Sequence, residues 1–290
     1  TVDYDSRHLN QMAPITVIIP TYNRGVRVRD AIESVLAQRL PAAELIVVDD
    51  GSLDDTATVV ECMQKDTPLP IFYLLHPNRG PAAARNAGIQ RATSPFIAFL
   101  DSDDSWRPNK LALQFEAMRA APAYLISHTN ESWIYKGGNR NKKSIHYPRH
   151  GDIFAYCLPL CCVGMSTVIV HRDLFERYGL FDETLRCCED YDMWLRVASH
   201  EQFLLVDEPL TIKNGGRPDQ VSAQYRIGMD RFRIQALASL LHSGGLDDEH
   251  YCMALKELRK KCEIYGNGCI KHDKELEGSY YVSLPKLFDF

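Results

Sequence analysis

A chain of 290 residues with 45% hydrophobic and 24% charged residues has the size of one large domain and the balance of an ordinary globular protein. Its formal net charge of −5 argues against a nucleic-acid binder, which usually presents a basic surface. No stretch reaches the roughly 18 consecutive apolar residues of a membrane-spanning helix, and residues 1–10 are polar and mixed in charge, unlike a secretory signal. The expectation is a cytoplasmic protein, with contact at the inner face of a membrane limited to peripheral association.

The first hundred residues alternate short β-rich runs with helical spacing. The run 15–19 is followed by a turn-like segment, Pro20-Thr21-Tyr22-Asn23-Arg24-Gly25. Val28, Ala31, Ile32, Val35 and Leu36 then repeat at helical intervals. The second run, 45–48, closes at Asp49-Asp50-Gly51-Ser52, where Ser52 with Asp55 reads as a capping box for the next helix. A third strand at 71–75 leads through Asn78-Arg79-Gly80 to Pro81, well placed for the first turn of an alanine-rich helix. A fourth run, 96–100, ends at Asp101-Ser102-Asp103-Asp104. This alternation predicts βαβ units and a mainly parallel sheet flanked by helices. Such sheets bind ligands beyond the carboxyl ends of their strands, where the polar clusters after Ile19, Val48 and Leu100 fall.

Beyond Pro108 the spacing predicts a helix to about Arg119, a strand over 124–135, and a long basic turn at 136–141. An apolar block over 157–170, a short helix around Leu174, a helix opening near Glu189-Asp190 and a strand at 203–206 follow. From about Gly228 the pattern becomes amphipathic and helical, with breaks expected at Gly244-Gly245 and at Gly266-Asn267-Gly268. Nine cysteines include the adjacent pairs Cys161-Cys162 and Cys187-Cys188 but no C-x-x-C spacing, so most are expected to be reduced, small and buried.

Asp101, Asp103 and Asp104 are hard oxygen ligands suited to Mg²⁺ or Mn²⁺. An ion held by one or two carboxylates can bridge the phosphates of a nucleoside diphosphate. The plainer reading is that Asp103, Asp104 or Ser105 caps the helix starting near Pro108. At the second strand end, Asp49 or Asp50 could accept the imide N–H of uracil, a donor that cytosine lacks; alternatively Asp-Gly-Ser is simply a turn. Tyr22 could stack on a base and Arg24 could reach a phosphate, while Arg85 and Asn86 could point to the same edge. Glu189 and Asp190 open a helix, where acidic residues are favoured in any case. One of them could instead serve as the base that deprotonates an acceptor hydroxyl. Adjacent helix residues diverge by about 100°, so only one can aim at that hydroxyl. The loop Asn214-Gly215-Gly216-Arg217-Pro218-Asp219-Gln220 could close over a substrate, with Arg217 meeting a diphosphate.

In order, Ile18-Ile19-Pro20-Thr21-Tyr22-Asn23, Val47-Val48-Asp49-Asp50-Gly51-Ser52, Gly80-Pro81 through Ala84-Arg85-Asn86-Ala87-Gly88, and Phe99-Leu100-Asp101-Ser102-Asp103-Asp104 resemble the family-2 inverting glycosyltransferases of the GT-A fold. Glu189-Asp190-Tyr191-Asp192 with Trp194-Leu195-Arg196 is similar to that family's acceptor-side motif. The likeness covers roughly residues 14–225 and extends to bacterial surface-polysaccharide members, which often read Gly-Gly-His where this chain has Gly215-Gly216-Arg217.

The resemblance implies a GT-A domain over 14–228, with a nucleotide-binding half (14–105) and an acceptor half (106–228), after a leader at 1–13 and before a helical extension at 229–290. It implies transfer from a nucleotide-sugar, a UDP-sugar by expectation, to a glycan or lipid-linked acceptor, with Mn²⁺ or Mg²⁺. Pro20, Tyr22, Asp50, Arg85 and Arg24 would hold the nucleotide, with Asp101, Ser102 and Asp103 at the ribose and diphosphate. Asp104 would help shape that same region. Asp103, with Asp101, would bind the metal; Asp190 would be the base, with Glu189 its acceptor-side partner. Competing expectations are a sugar-phosphate nucleotidyltransferase, which would typically need a glycine-rich basic loop in place of Pro20-Thr21-Tyr22-Asn23, and a catalytically silent sugar- or nucleotide-binding module, which need not keep Asp101, Asp103 and Asp190. The spacing of Phe232, Leu237 and Leu241 raises self-association or membrane docking through the C-terminal helices as a further expectation.

Overall fold

The computed structural model describes residues 12–135, 137–217 and 219–288; the expected leader lies almost wholly outside them. The first elements are β1 (Ala13–Thr21), α1 (Gly25–Leu36), β2 (Ala42–Asp49), α2 (Thr56–Lys65), β3 (Ile71–Leu75), α3 (Pro81–Arg91), β4 (Phe96–Phe99) and the short β5 (Ser105–Trp106). Then come α4 (Lys110–Ala120), β6 (Ile126–Tyr135), β7 (Gly138–Arg140), α5 (Phe154–Cys157), β8 (Ile169–His171), α6 (Asp173–Tyr178), α7 (Glu189–Ala198), β9 (Leu204–Gly215) and α8 (Val221–Gln224). The α-helices α9 (Met229–His242), α10 (Asp248–Lys271) and α11 (Glu275–Ser283) and a 3-10 helix (Leu284–Phe288) complete the described chain.

The strands form one sheet in the order β3-β2-β1-β4-β8-β6-β9-β5, with β7 paired to β6. The first four are parallel, as the βαβ alternation predicts. Beyond β4 the sheet is mixed: β8 runs antiparallel to both β4 and β6, β6 is parallel to β9, and β5 returns antiparallel against β9. Strand direction depends on which strands pair, and single-chain periodicity does not report that.

Alternation along the strands divides the core. Ile18, Ile46, Val48, Ile97 and Phe99 face α3, α7 and the C-terminal helices. Ile15, Val17, Ile19, Leu45 and Val47 face the other way, towards the apolar sides of α1, α2 and α4. Phe232, Leu237 and Leu241 are buried in the first of these cores. Their spacing is thus accounted for by packing within the chain, which removes the reason for expecting them to dock elsewhere.

Three local expectations are corrected. Ser52 and Asp55 form no capping box: the Ser52 hydroxyl accepts from the Asn23 amide, and the Asp54 carboxylate serves the amides of Gly25 and Thr56. The helix after Pro108 is capped by neither Asp103, Asp104 nor Ser105, since it begins at Lys110 behind Asn109 and Ser105 belongs to β5. The helical tail does not break at residues 266–268; α10 runs through them. A side chain at Gly266 would meet the Gly278 carbonyl of α11 at 2.8 Å, and one at Gly278 would meet Ile270 Cγ1 at 2.5 Å. These glycines are there because α10 and α11 approach backbone to backbone.

Candidate active site

The loops after β1, β2 and β4 meet the N-terminal end of α7 around a cleft of about 650 Å³. Pro20, Tyr22, Arg24, Asp50, Arg85, Asp101, Ser102, Asp103, Glu189 and Asp190 all line it. The fold therefore brings these ten residues to one place, while Asp49, Asn86 and Arg217, also singled out, are not part of its lining.

Tyr22 is 45% exposed, and Asp50, also in the lining, is buried. Asn23 adopts φ 51°, and its side-chain oxygen accepts from the Leu53 amide, tying the β1 loop to the β2 loop. The structure separates the two aspartates of the second motif. Asp49 is consumed locally, accepting from the Ser52 amide at 2.7 Å and the Tyr73 hydroxyl at 2.6 Å. Asp50 accepts the amides of Arg79 and Gly80, each at 2.8 Å, and so fixes the start of α3. Burial raises the Asp50 pKa, while these amides and His76 work against that rise.

In the acidic cluster, Asp101, Asp103 and Asp104 each offer an oxygen, all within 4.8 Å of one another. Their surroundings differ. Asp104 is buried, with one oxygen accepting from the Ser166 hydroxyl at 2.7 Å and the other from the Asn214 amide at 3.0 Å. Burial drives its pKa well up, Lys213 pulls it down, and Asp103 and Asp101 push it up again. Asp103 meets Arg24 at 3.0 Å and also pairs with Arg217. Asp101 accepts from Arg85 at 2.9 Å. Ser102 is buried at the cleft wall.

Arg85 is only 4% exposed and stands between Asp101 and Glu189, bonding both. It therefore links the acidic cluster to the N-terminal end of α7. Asn86 faces elsewhere: it bonds the backbone of Phe181 in both directions and the Glu183 carboxylate, pinning that loop to α3.

Glu189 and Asp190 diverge as adjacent helical residues must. Glu189 is buried on Arg85; burial raises its pKa and Arg85 opposes the rise. Asp190 lines the cleft, one oxygen held by its neighbour's amide, Tyr191 N, at 2.7 Å. Cys188, immediately before this pair, has φ 65°, a left-handed conformation that costs a non-glycine residue about 1 kcal/mol. The Cys161 thiol sits close by, its pKa pushed well up by burial and by the Asp190 charge. The rest of the motif is structural: Trp194 is buried in the core, and Asp192 pairs with Arg196, which also bonds the Tyr178 and Leu180 carbonyls.

Several cleft residues escaped the sequence reading. Lys213 lies on β9 with its pKa raised, chiefly by Glu131 and also by Asp104 and Asp101, against the effect of burial. Arg186, Tyr225 and Arg233 also line the cleft. A basic residue directly preceding Cys187-Cys188 was a usable signal for Arg186; nothing near Lys213 or Arg233 in sequence marks them.

Comparison with known proteins fits this geometry. Residues 16–179 match the family described as "Glycosyl transferase family 2". An uncharacterized glycosyltransferase of Rickettsia felis is 35% identical over 219 residues, 74% of this chain and 36% of that protein. The chain thus spans about a third of the length of that relative. A putative teichuronic acid biosynthesis glycosyltransferase of Bacillus subtilis, TuaG, is 34% identical over 182 residues, 62% of this chain and 70% of that one. In three dimensions the chain is similar to residues 1–349 of S. aureus TarS in complex with UDP-GlcNAc, with a TM-score of 0.71, 19% identity and coverage of 93% of this chain and 79% of that one. That likeness carries the GT-A fold, and with the family match extending over more than half of its residues, this chain belongs to glycosyl transferase family 2.

Proposed function

We propose that the chain transfers a sugar from a UDP-sugar to a hydroxyl of a glycan or lipid-linked acceptor, inverting the anomeric carbon and depending on Mn²⁺ or Mg²⁺. The observation that carries this reading is the gathering of these groups in one cleft: Tyr22 and Asp50, the acidic cluster bonded through Asp103 to Arg24 and through Asp101 and Arg85 to Glu189, and Asp190. TarS, the structural neighbour above, is in complex with UDP-GlcNAc, and TuaG is named for teichuronic acid biosynthesis; both support the reading.

The donor set suits a hard divalent ion. Asp104 has both oxygens engaged, whereas Asp101 and Asp103 face the cleft with one oxygen each outside the hydrogen bonds and ion pairs described above. Two carboxylates plus phosphate oxygens are the usual complement for Mg²⁺ or Mn²⁺. When bound there, the ion would neutralise charge on the departing diphosphate. The remaining work falls to the protein. Tyr22 stacks on uracil, and Asp50 accepts its imide N–H. Arg24 and Arg217, now on Asp103, lie where they can turn to the diphosphate. Asp190 takes the proton of the acceptor hydroxyl as its oxygen bonds the anomeric carbon and the bond from that carbon to the diphosphate breaks, releasing UDP. Glu189 holds Arg85, and Arg85 orients Asp101.

Calorimetric titration of UDP, GDP and CDP, each with and without Mn²⁺, tests the reading. UDP binding that needs the ion and weakens in Asp103→Ala is the expected outcome. A preference for GDP overturns the role of Asp50, and binding indifferent to the ion overturns that of Asp103.

A further inference from the structure

The basic turn has no part in the cleft chemistry. Between Ser132 and Gly151 the sequence holds Lys136, Arg140, Lys142, Lys143 and Arg149 and no acidic residue, in a chain whose net charge is −5. Next to the β6–β7 hairpin lies a second hollow of about 430 Å³. Arg107, Arg140 and Lys142 line it, together with Asn130, Asn139 and Asn141. The cations lean on neutral groups: Arg107 donates to the Pro209 carbonyl at 2.9 Å, Lys142 donates to the Asn130 amide oxygen, and the Arg140 guanidinium lies 4.8 Å from the centre of the Tyr135 ring. Lys142 also lies 5.3 Å from the Tyr147 ring centre, and Tyr147 borders the hollow. Glu131 also lines the hollow, where it accepts from Trp133 Nε1 at 2.5 Å and raises the Lys213 pKa.

Arg107, Arg140 and Lys142 outnumber the one carboxylate of the lining, Glu131, whose charge acts on Lys142 together with that of Asp207; with amide side chains that can bond vicinal hydroxyls and aromatic rings beside them, they match an acidic sugar chain in each of its chemical parts. The hollow is concave and rich in amides, which favours a polar polymer over the face of a bilayer. It lies across β9 from the catalytic cleft: Ile212 lines the hollow, and the next residue, Lys213, points to the other face and lines the cleft. Tyr135 packs on Gly216, where an added Cβ would come within 2.6 Å of the ring, and Arg217 follows on the acidic cluster.

We propose that this hollow is a binding subsite for an anionic glycan: the part of a growing acidic acceptor chain that lies behind the end being extended. The acceptor assignment rests on the glycosyl-transfer reading; the binding of an acidic sugar polymer here does not depend on the donor.

The test titrates the full chain with oligogalacturonate of about eight units, with a neutral maltooligosaccharide of equal length, and with UDP and Mn²⁺, and also sediments it with phosphatidylglycerol vesicles. The expected result is oligogalacturonate binding that weakens between about 50 and about 200 mM salt, with the neutral oligomer far weaker. Arg140→Ser/Lys142→Ser should lose roughly tenfold or more of that affinity while binding UDP like the parent chain. If the double variant melts early, a single Arg140→Glu exchange at this exposed position is judged in the same way. Equal affinity for the neutral oligomer, undiminished binding by the variants, or sedimentation with vesicles without oligogalacturonate binding would each overturn the proposal. Loss of UDP binding by the parent chain would instead count against the donor assignment and leave the hollow untouched.

Discussion

Arg85→Met removes the cation between Asp101 and Glu189. The Arg85 and Glu189 side chains are 5% and 8% exposed, so the pair is buried, and deleting one member strands the other. Breaking such a pair costs about 3 to 5 kcal/mol. For a chain of this length about 3 kcal/mol corresponds to a fall in Tm of roughly 5 °C. The loss should depend on pH. Arg85 lowers the Glu189 pKa against a burial effect that raises it, so without Arg85 that pKa rises further. The folded variant then binds a proton more tightly than the unfolded chain. Stability therefore falls as pH climbs from the ordinary carboxylate range through the raised pKa, by up to about 1.4 kcal/mol per pH unit. Denaturant unfolding at pH 5.5 and 7.5 should show the larger deficit at 7.5. Adding Glu189→Gln should recover most of the loss, since the stranded charge is gone. A deficit below about 1 kcal/mol, one equal at both pH values, or a double variant no better than the single would refute this account of the bridge.

Asp190→Asn should leave UDP affinity nearly intact in calorimetry while lowering the transfer rate by about 10² to 10⁴; loss of UDP binding would mean that Asp190 serves the donor. Gly278→Val should lower Tm by several degrees, at a cost of about 1 to 3 kcal/mol, because Ile270 and the Gly266 carbonyl occupy the space its side chain needs. Protease sensitivity confined to the C-terminal helices would locate the damage. His128 is buried, and its pKa is lowered to about 4, with burial the leading cause. A depressed histidine stabilises the fold while neutral, so stability should fall as pH drops from about 6.5 towards about 4. Unfolding curves of His128→Gln should show a shallower slope in that window.

The strand ends were legible because each is an apolar run that stops at acidic or polar residues, and a parallel sheet gathers such ends at one edge. That rule alone brought Tyr22, Asp50, Asp101 and Asp103 together. The roles within each motif were less legible. Asp49 and Asp50 are adjacent acids of one type, yet one is tied to Tyr73 and the other reaches the cleft, a difference of side-chain direction along a strand end. Arg85 reads as a solvated helix residue because its partners are 16 and 104 positions away. Lys213 is invisible for the same reason: a lysine within a strand is marked only by Glu131 and the aspartates that tertiary folding places around it. Gly266 of α10 misled because propensity weighs a residue alone, whereas its use is to admit the backbone of α11, and Gly268 beside it faces open space.

The C-terminal helices have a practical bearing on redesign. Phe232, Leu237, Leu258 and Phe288 belong to the same packed interior as Trp194 and Phe203. α9 also sends Arg233 to the wall of the cleft. A chimera that exchanges only the residues beyond 228 therefore has to repack this interior from both sides, including Ile18, Ile46, Val48 and Phe99 of the first strands. A junction placed at residue 228, where the sequence changes character, would cut through a shared interior and leave two raw faces.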